Sequence, residues 1–182
     1  MTRPILVVLG GLPAVGKSTV AAILNQSGRF AYVRIDSIEQ ALRASGEMGY
    51  EGVVTAGYVV GCAVAGDLLD GGNDVLVECV NPIGVTRSAW REVADSHHAA
   101  MLEVELFCSD QQAHRERAEN RVVDVAVSWR AIQEREYEPW DDADLRIDTS
   151  LTSPNRAAEL VLAAMPSRKR SPEYHGNMSI DT

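Results

Sequence analysis

Eight consecutive residues, Gly11-Leu12-Pro13-Ala14-Val15-Gly16-Lys17-Ser18, carry two glycines bounding four residues, then a lysine and a serine. A polyphosphate is held by being wrapped in backbone N–H groups. Glycine permits the wrap because it has no side chain to obstruct the ligand and tolerates left-handed backbone angles. An ammonium at position 17 reaches the β and γ oxygens of a nucleoside triphosphate, and the Ser18 hydroxyl is a ligand for Mg²⁺. Thr19 either contacts the α-phosphate or caps the following helix. The expected binding set is therefore Gly11, Ala14, Val15, Gly16, Lys17, Ser18 and Thr19. No Asn-Lys-x-Asp segment that would read guanine occurs, so the nucleotide expected is ATP, with Mg²⁺ as its counterion.

Phosphoryl transfer also needs an acid near the acceptor and cations around the migrating group. Three acids stand at expected strand ends: Asp36 after Tyr32-Val33-Arg34-Ile35, Glu78 after Val75-Leu76-Val77, and Asp148 before Thr149-Ser150. Asp36 reads as a general base or as a helix N-cap. Glu78 reads as an acid holding a metal-bound water or as a solvated strand end, and Asp148 as turn and cap chemistry. In the run His114-Arg115-Glu116-Arg117-Ala118-Glu119-Asn120-Arg121, Arg117 and Arg121 are four apart and share a helical face. They serve either a lid over the phosphates or a solvated helix tied by local ion pairs. Val122 to Val127 is an apolar link where a lid would bend. Asn81 and Arg87 are candidates to touch the acceptor, or surface residues. His97 and His98 lack partners at metal-binding spacing, and Trp90, Trp129 and Trp140 are expected as packing.

Elements must bring these residues together. Ile5 to Leu9 is an apolar run with no polar alternation, as in a strand buried on both faces of a parallel sheet. The glycine loop follows, then a helix over Lys17 to Gln26. Further strands are expected at Ala31 to Ile35, Val75 to Val80, Met101 to Phe107 and Leu145 to Ile147. Helices are expected at Ser37 to Ala44, Gly52 to Leu69, Arg87 to Ser96, Gln111 to Arg121, Trp129 to Glu136 and Asn155 to Met165. Parallel strands need crossovers of this length, and the expected fold is α/β: a doubly wound five-stranded parallel sheet with helices on both faces, its ligands at the carboxyl edge. Gly57 and Gly61 let their helix lie close to a neighbour.

The 182 residues make one domain, expected over 1–166 with an Arg-rich lid at about 114–128, and a disordered tail over 167–182. Formal charge is −9, and −10 without the tail, which opposes sequence-independent nucleic-acid binding. Cys62, Cys79 and Cys108 are widely spaced and support neither a disulfide framework nor a zinc knuckle. A cytoplasmic protein without export signal or membrane span is expected, and the oligomeric state stays open.

Taken together, the loop Gly11 to Ser18, Asp36, the segment Val75-Leu76-Val77-Glu78-Cys79-Val80-Asn81-Pro82, Arg115 to Arg121 and Arg135-Glu136-Tyr137-Glu138-Pro139-Trp140 resemble a known group. These are the small P-loop kinases of the AAA-33 or zeta-toxin and chloramphenicol-phosphotransferase-like kind, more distantly similar to adenylate, shikimate and gluconate kinases. The resemblance covers about Ile5 to Met165 and implies a three-layer P-loop NTPase fold of adenylate-kinase-like type. It also implies that Asp36 takes a proton from a substrate hydroxyl and that Arg117 and Arg121 are lid arginines. The sequence departs from the group at Glu78, where relatives usually have Asp, and in a lid too short for a nucleotide acceptor. The expected activity is ATP-dependent phosphorylation of a hydroxyl on a small molecule. Its rivals are a nucleotide-dependent switch that binds a partner and a polynucleotide 5′-hydroxyl kinase.

Overall fold

The computed structural model describes residues 3–46, 49–120 and 127–167. The chain runs β1 (Ile5–Gly10), α1 (Lys17–Asn25), β2 (Phe30–Arg34), α2 (Ile35–Ser45), α3 (Tyr50–Asp70), β3 (Asp74–Glu78), α4 (Gly84–Ser96), β4 (Ala100–Phe107), α5 (Gln111–Glu119), α6 (Trp129–Gln133), β5 (Leu145–Asp148) and α7 (Pro154–Ala164). All strand pairs are parallel, in the order β2-β3-β1-β4-β5. The expected doubly wound sheet is what the chain forms.

Every residue of β1 is buried, which is why its sequence shows no polar alternation: side chains alternate between two faces and both are covered. Ile5, Val7 and Leu9 pack with Val20 and Leu24 of α1 and with Ala157 and Val161 of α7. Leu6 and Val8 point the other way, into a second core with Ala65 and Leu69 of α3 and Trp90 and Ala94 of α4. The connection leaving β1 crosses to β2 on one side, whereas that leaving β4 crosses to β5 on the other. Their loops therefore open next to each other at the carboxyl edge, where this fold class collects ligands.

Two packing features hold that edge. A Cβ at Gly61 would lie 2.2 Å from Ile35 Cδ1, and one at Gly57 would lie 2.7 Å from Glu39 Cγ. The glycine spacing on α3 thus admits α2 at close range, as expected. Arg87 is only 4% exposed and donates to the carbonyls of Asn81, Pro82, Glu138 and Pro139, with its guanidinium 4.9 Å from the Trp140 ring centroid. It clamps the β3–α4 connection to residues 138–139, which accounts for its burial. Asn81 is fully buried as well. The surface reading of both residues is therefore corrected to buried positions.

Trp90 and Trp140 are buried packing residues, and Trp129 meets His114 edge-on. His97 caps α4 and contacts Asp70. Among the described residues no three or more His, Cys, Asp or Glu side chains form a group that could hold a metal ion, and no helix is long and apolar enough to cross a membrane. The tail beyond Ser167 lies outside the described residues.

Candidate active site

Residues 11–16 leave β1 and turn back into α1 through three left-handed positions, Gly11 (φ 141°), Ala14 (φ 65°) and Gly16 (φ 101°). Two of these require glycine. At Gly11 a Cβ would also fall 2.1 Å from the Leu106 carbonyl oxygen of β4. Ala14 takes the left-handed conformation with a side chain, a departure that occurs chiefly where surrounding structure enforces it. No side chain caps the N-terminus of α1, so its first N–H groups are available to an anion. Lys17 donates to the carbonyls of Gly11 (2.8 Å) and Leu12 (2.9 Å), closing the loop over itself.

Glu78 ends β3 beside this loop and is 3% exposed. Parallel pairing of β1 with β3 sets Leu9 opposite Glu78, which carries the carboxylate to the first turn of α1. Its Oε1 accepts from Ser18 Oγ at 2.5 Å. Its Oε2 accepts from the Tyr32 hydroxyl and lies 3.7 Å from Arg34 Nε. The solvated strand-end reading of Glu78 is thereby set aside: the side chain is enclosed and fully engaged. Burial, and then the bond to Glu78, push the Tyr32 hydroxyl well above its ordinary pKa.

Asp36 lies in the first turn of α2, whose N-cap is Arg34 with no side-chain cap bond. Asp36 is thus no N-cap. Its carboxylate is 3.2 Å from Arg34 Nη2. The same helix turns Asp36, Glu39, Gln40 and Arg43 toward a cleft of about 580 Å³ that also takes in Lys17, Ser18, Thr19 and Glu78. These four recur at offsets of three, four and seven residues, which is one helical face. Glu39 is paired with Arg43 at 2.9 Å, and burial pushes its carboxyl above the usual range against the pull of Arg43.

Arg117 of α5 lines the cleft from the β4 side. Its guanidinium donates to Oγ1 and the carbonyl of Thr149, each at 3.0 Å. Asp148 is turn chemistry, accepting from the backbone N–H groups of Ser109 and Ser150 and from Ser150 Oγ. Burial opposes these bonds, yet they hold its carboxyl well below the usual range. Arg121 lies outside the described residues, as do residues 122–126 of the expected bend. Residues 114–119 of the expected lid are the body of α5. There His114 is 6% exposed and its Nε2 donates to the Pro13 carbonyl at 2.8 Å, tying α5 to the glycine loop.

Sequence reasoning passed over Tyr32, Arg34, Glu39, Gln40, Arg43 and His114. The available signals were the α2 spacing and the alternation of β2, where Tyr32 and Arg34 share a face. Lining the cleft, Lys17, Arg34, Arg43, Arg117 and Arg135 outnumber Asp36, Glu39 and Glu78, in a chain whose net charge is −9. The cleft is a positive site in a negative molecule.

No protein-family model matches the sequence, and no curated protein matches it. Solved structures do share the fold. A kinase candidate from Chloroflexus aurantiacus superposes with a TM-score of 0.73 at 15% identity, covering 90% of this chain and 96% of that one. The APS kinase of Mycobacterium tuberculosis, in complex with AMPPNP and APS, superposes with a TM-score of 0.69 at 23% identity over 90% and 98% of the two chains. A gluconokinase of Sinorhizobium meliloti gives 0.64 at 18% identity over 90% and 93%.

Proposed function

We propose that the chain is a small-molecule kinase that binds Mg-ATP on Gly11 to Thr19 and transfers the γ-phosphoryl group to a hydroxyl held near Asp36. The observation that carries this reading is that the loop, the Ser18–Glu78 pair and Asp36 line one cation-rich cleft. The fold neighbours, kinases by their own descriptions, support it. The narrower grouping with zeta toxin and chloramphenicol phosphotransferase rests on the sequence resemblance. We place the protein in the cytoplasm, supported by three cysteines that are free thiols.

The residues fit a triphosphate. A loop with left-handed positions at Gly11, Ala14 and Gly16 is a backbone form that can cradle an anion in its N–H groups, and the uncapped α1 adds its positive dipole end. Lys17, now on the loop's own carbonyls, is the cation that would pass to the phosphate oxygens. Ser18 and Glu78 are the residues that would hold Mg²⁺, which when bound neutralises charge on the transferring group. In the reaction the acceptor oxygen forms a bond to the γ-phosphorus, its proton passes to the Asp36 carboxylate, and the β–γ bridging oxygen leaves with ADP. Arg34, 3.2 Å from the Asp36 carboxylate, orients it, and Arg117 faces the polyphosphate from the opposite wall. The chemistry is mostly positioning and electrostatics.

The test is transfer from [γ-³²P]ATP to a panel of sugars, sugar acids, nucleosides and aminoglycoside- or amphenicol-type alcohols. Lys17→Ala is expected to lower transfer by about two orders of magnitude or more, and Asp36→Asn by roughly 10²- to 10⁴-fold with ATP binding retained. Full transfer by Asp36→Asn would refute the base assignment. A wild-type protein that hydrolyses ATP only when a protein partner is added would instead favour the switch.

A further inference from the structure

Resting on the kinase reading above, we infer that the acceptor carries an anionic group, a carboxylate or a phosphate ester, that is seated by Arg135 at the α2 end of the cleft. Four arginines line the cavity, and three have partners. Arg34 pairs with Asp36 and Glu78, Arg43 with Glu39, and Arg117 donates to Thr149. The half-buried Arg135 guanidinium makes no hydrogen bond or ion pair with any described residue. A guanidinium stays charged at every accessible pH, and one that lines the cleft with its donors uncommitted is placed to form a forked bond with an anionic ligand.

Its position says which ligand. Arg135 follows α6, lines the same cavity as Glu39 and acts electrostatically on it, which puts it near the middle of the α2 stripe. Asp36 lies three residues before Glu39 and seven before Arg43 along that helix. At 1.5 Å per residue the anionic group would then sit roughly 5–10 Å from the hydroxyl that meets Asp36. That separation suits a small acceptor, with its hydroxyl and its anion at opposite ends of a short carbon skeleton. Gln40 and Glu39, which also line the cavity, provide hydrogen-bonding groups for further hydroxyls. A carboxylate or phosphate ester matches the fork of a guanidinium, which a neutral alcohol does not.

Three six-carbon probes separate the possibilities: D-gluconate, D-glucose 6-phosphate and D-glucitol, each tested for phosphorylation and, with a non-hydrolysable ATP analogue and Mg²⁺ present, for binding by calorimetry. The wild type is expected to bind at least one of the two anionic probes about tenfold or more tightly than glucitol, and which of them wins tells carboxylate from phosphate ester. Arg135→Gln is expected to erase that preference, raising KM or Kd for the anionic probe about tenfold while its kcat changes less. Arg135→Lys is expected to restore only part, having the charge without the fork. Three results overturn the inference: glucitol bound as well as the anions, no binding of either anion, or a preference intact in Arg135→Gln. Loss of ATP-analogue affinity in that variant with the anion preference unchanged would place the guanidinium on the triphosphate and overturn it too. Failure of the kinase reading is distinct: it shows as absence of ATP binding by the wild type itself.

Discussion

At the scale of single residues, Glu78 organises more of the cleft than its sequence position suggests. One carboxylate accepts from Ser18 and Tyr32 and attracts Arg34, so glycine-loop hydroxyl, strand and acid hold one another in register. Its tyrosine partner sets a pH dependence. Burial, with Glu78 next in weight, raises the Tyr32 pKa, and burial with Glu105 raises that of Tyr137. A pKa higher in the folded than in the unfolded chain means tighter proton binding when folded. The associated stability is fully present below the unfolded value of about 10 and is lost as pH climbs above it. Urea midpoints are therefore expected to fall between about pH 9 and pH 12, and the Tyr32→Phe, Tyr137→Phe double variant to flatten that fall. An unchanged slope in the double variant would assign the alkaline loss to other groups.

At the scale of elements, α2 positions the candidate base and depends on α3 for its place. Gly61 of α3 has no room for a side chain against the buried Ile35, the residue before Asp36. Gly61→Val is expected to cost about 1–3 kcal/mol in chemical denaturation. It should also depress transfer more than ATP affinity, since it displaces Asp36 and leaves the loop alone. Adding Ile35→Val, which shortens the clashing side chain, should recover part of both. A Gly61→Val variant with normal stability would show that α2 can slide without cost.

At the scale of the whole molecule, two long-range ties keep the carboxyl edge in one piece. His114 fastens α5 to Pro13, and Arg87 fastens the β3–α4 connection to residues 138–139. Arg87→Ala would leave buried carbonyls without a donor, and a loss of about 3 kcal/mol is expected. Arg87→Lys should restore less than half of it, because one ammonium cannot reach four acceptors from a fixed stem. Thermal unfolding of the three proteins reads this directly, and equal stability of the lysine variant would show that charge alone suffices.

Local chemistry made much of this legible in the amino-acid sequence. The apolar runs and their spacing set strand, loop and helix, since burial on both faces and helical periodicity leave direct marks on residue order. The loop Gly11 to Ser18 carried the expectation of a polyphosphate ligand, because backbone wrapping constrains neighbouring residues only. Asp36 and Glu78 were visible as acids at strand ends. Which reading each deserved was decided by tertiary structure: Asp36 lies inside the helix and does not cap it, Glu78 is enclosed by Tyr32, and Arg87 is a clamp. Those outcomes depend on β2 pairing with β3 and on residues 138–139 folding back over α4, contacts between positions up to about fifty apart. The Glu39–Arg43 stripe and the Arg135 guanidinium facing it belong to the same class. Side-chain partners across a cleft follow from how elements pack, and packing energy is shared among many residues whose order along the chain does not encode it.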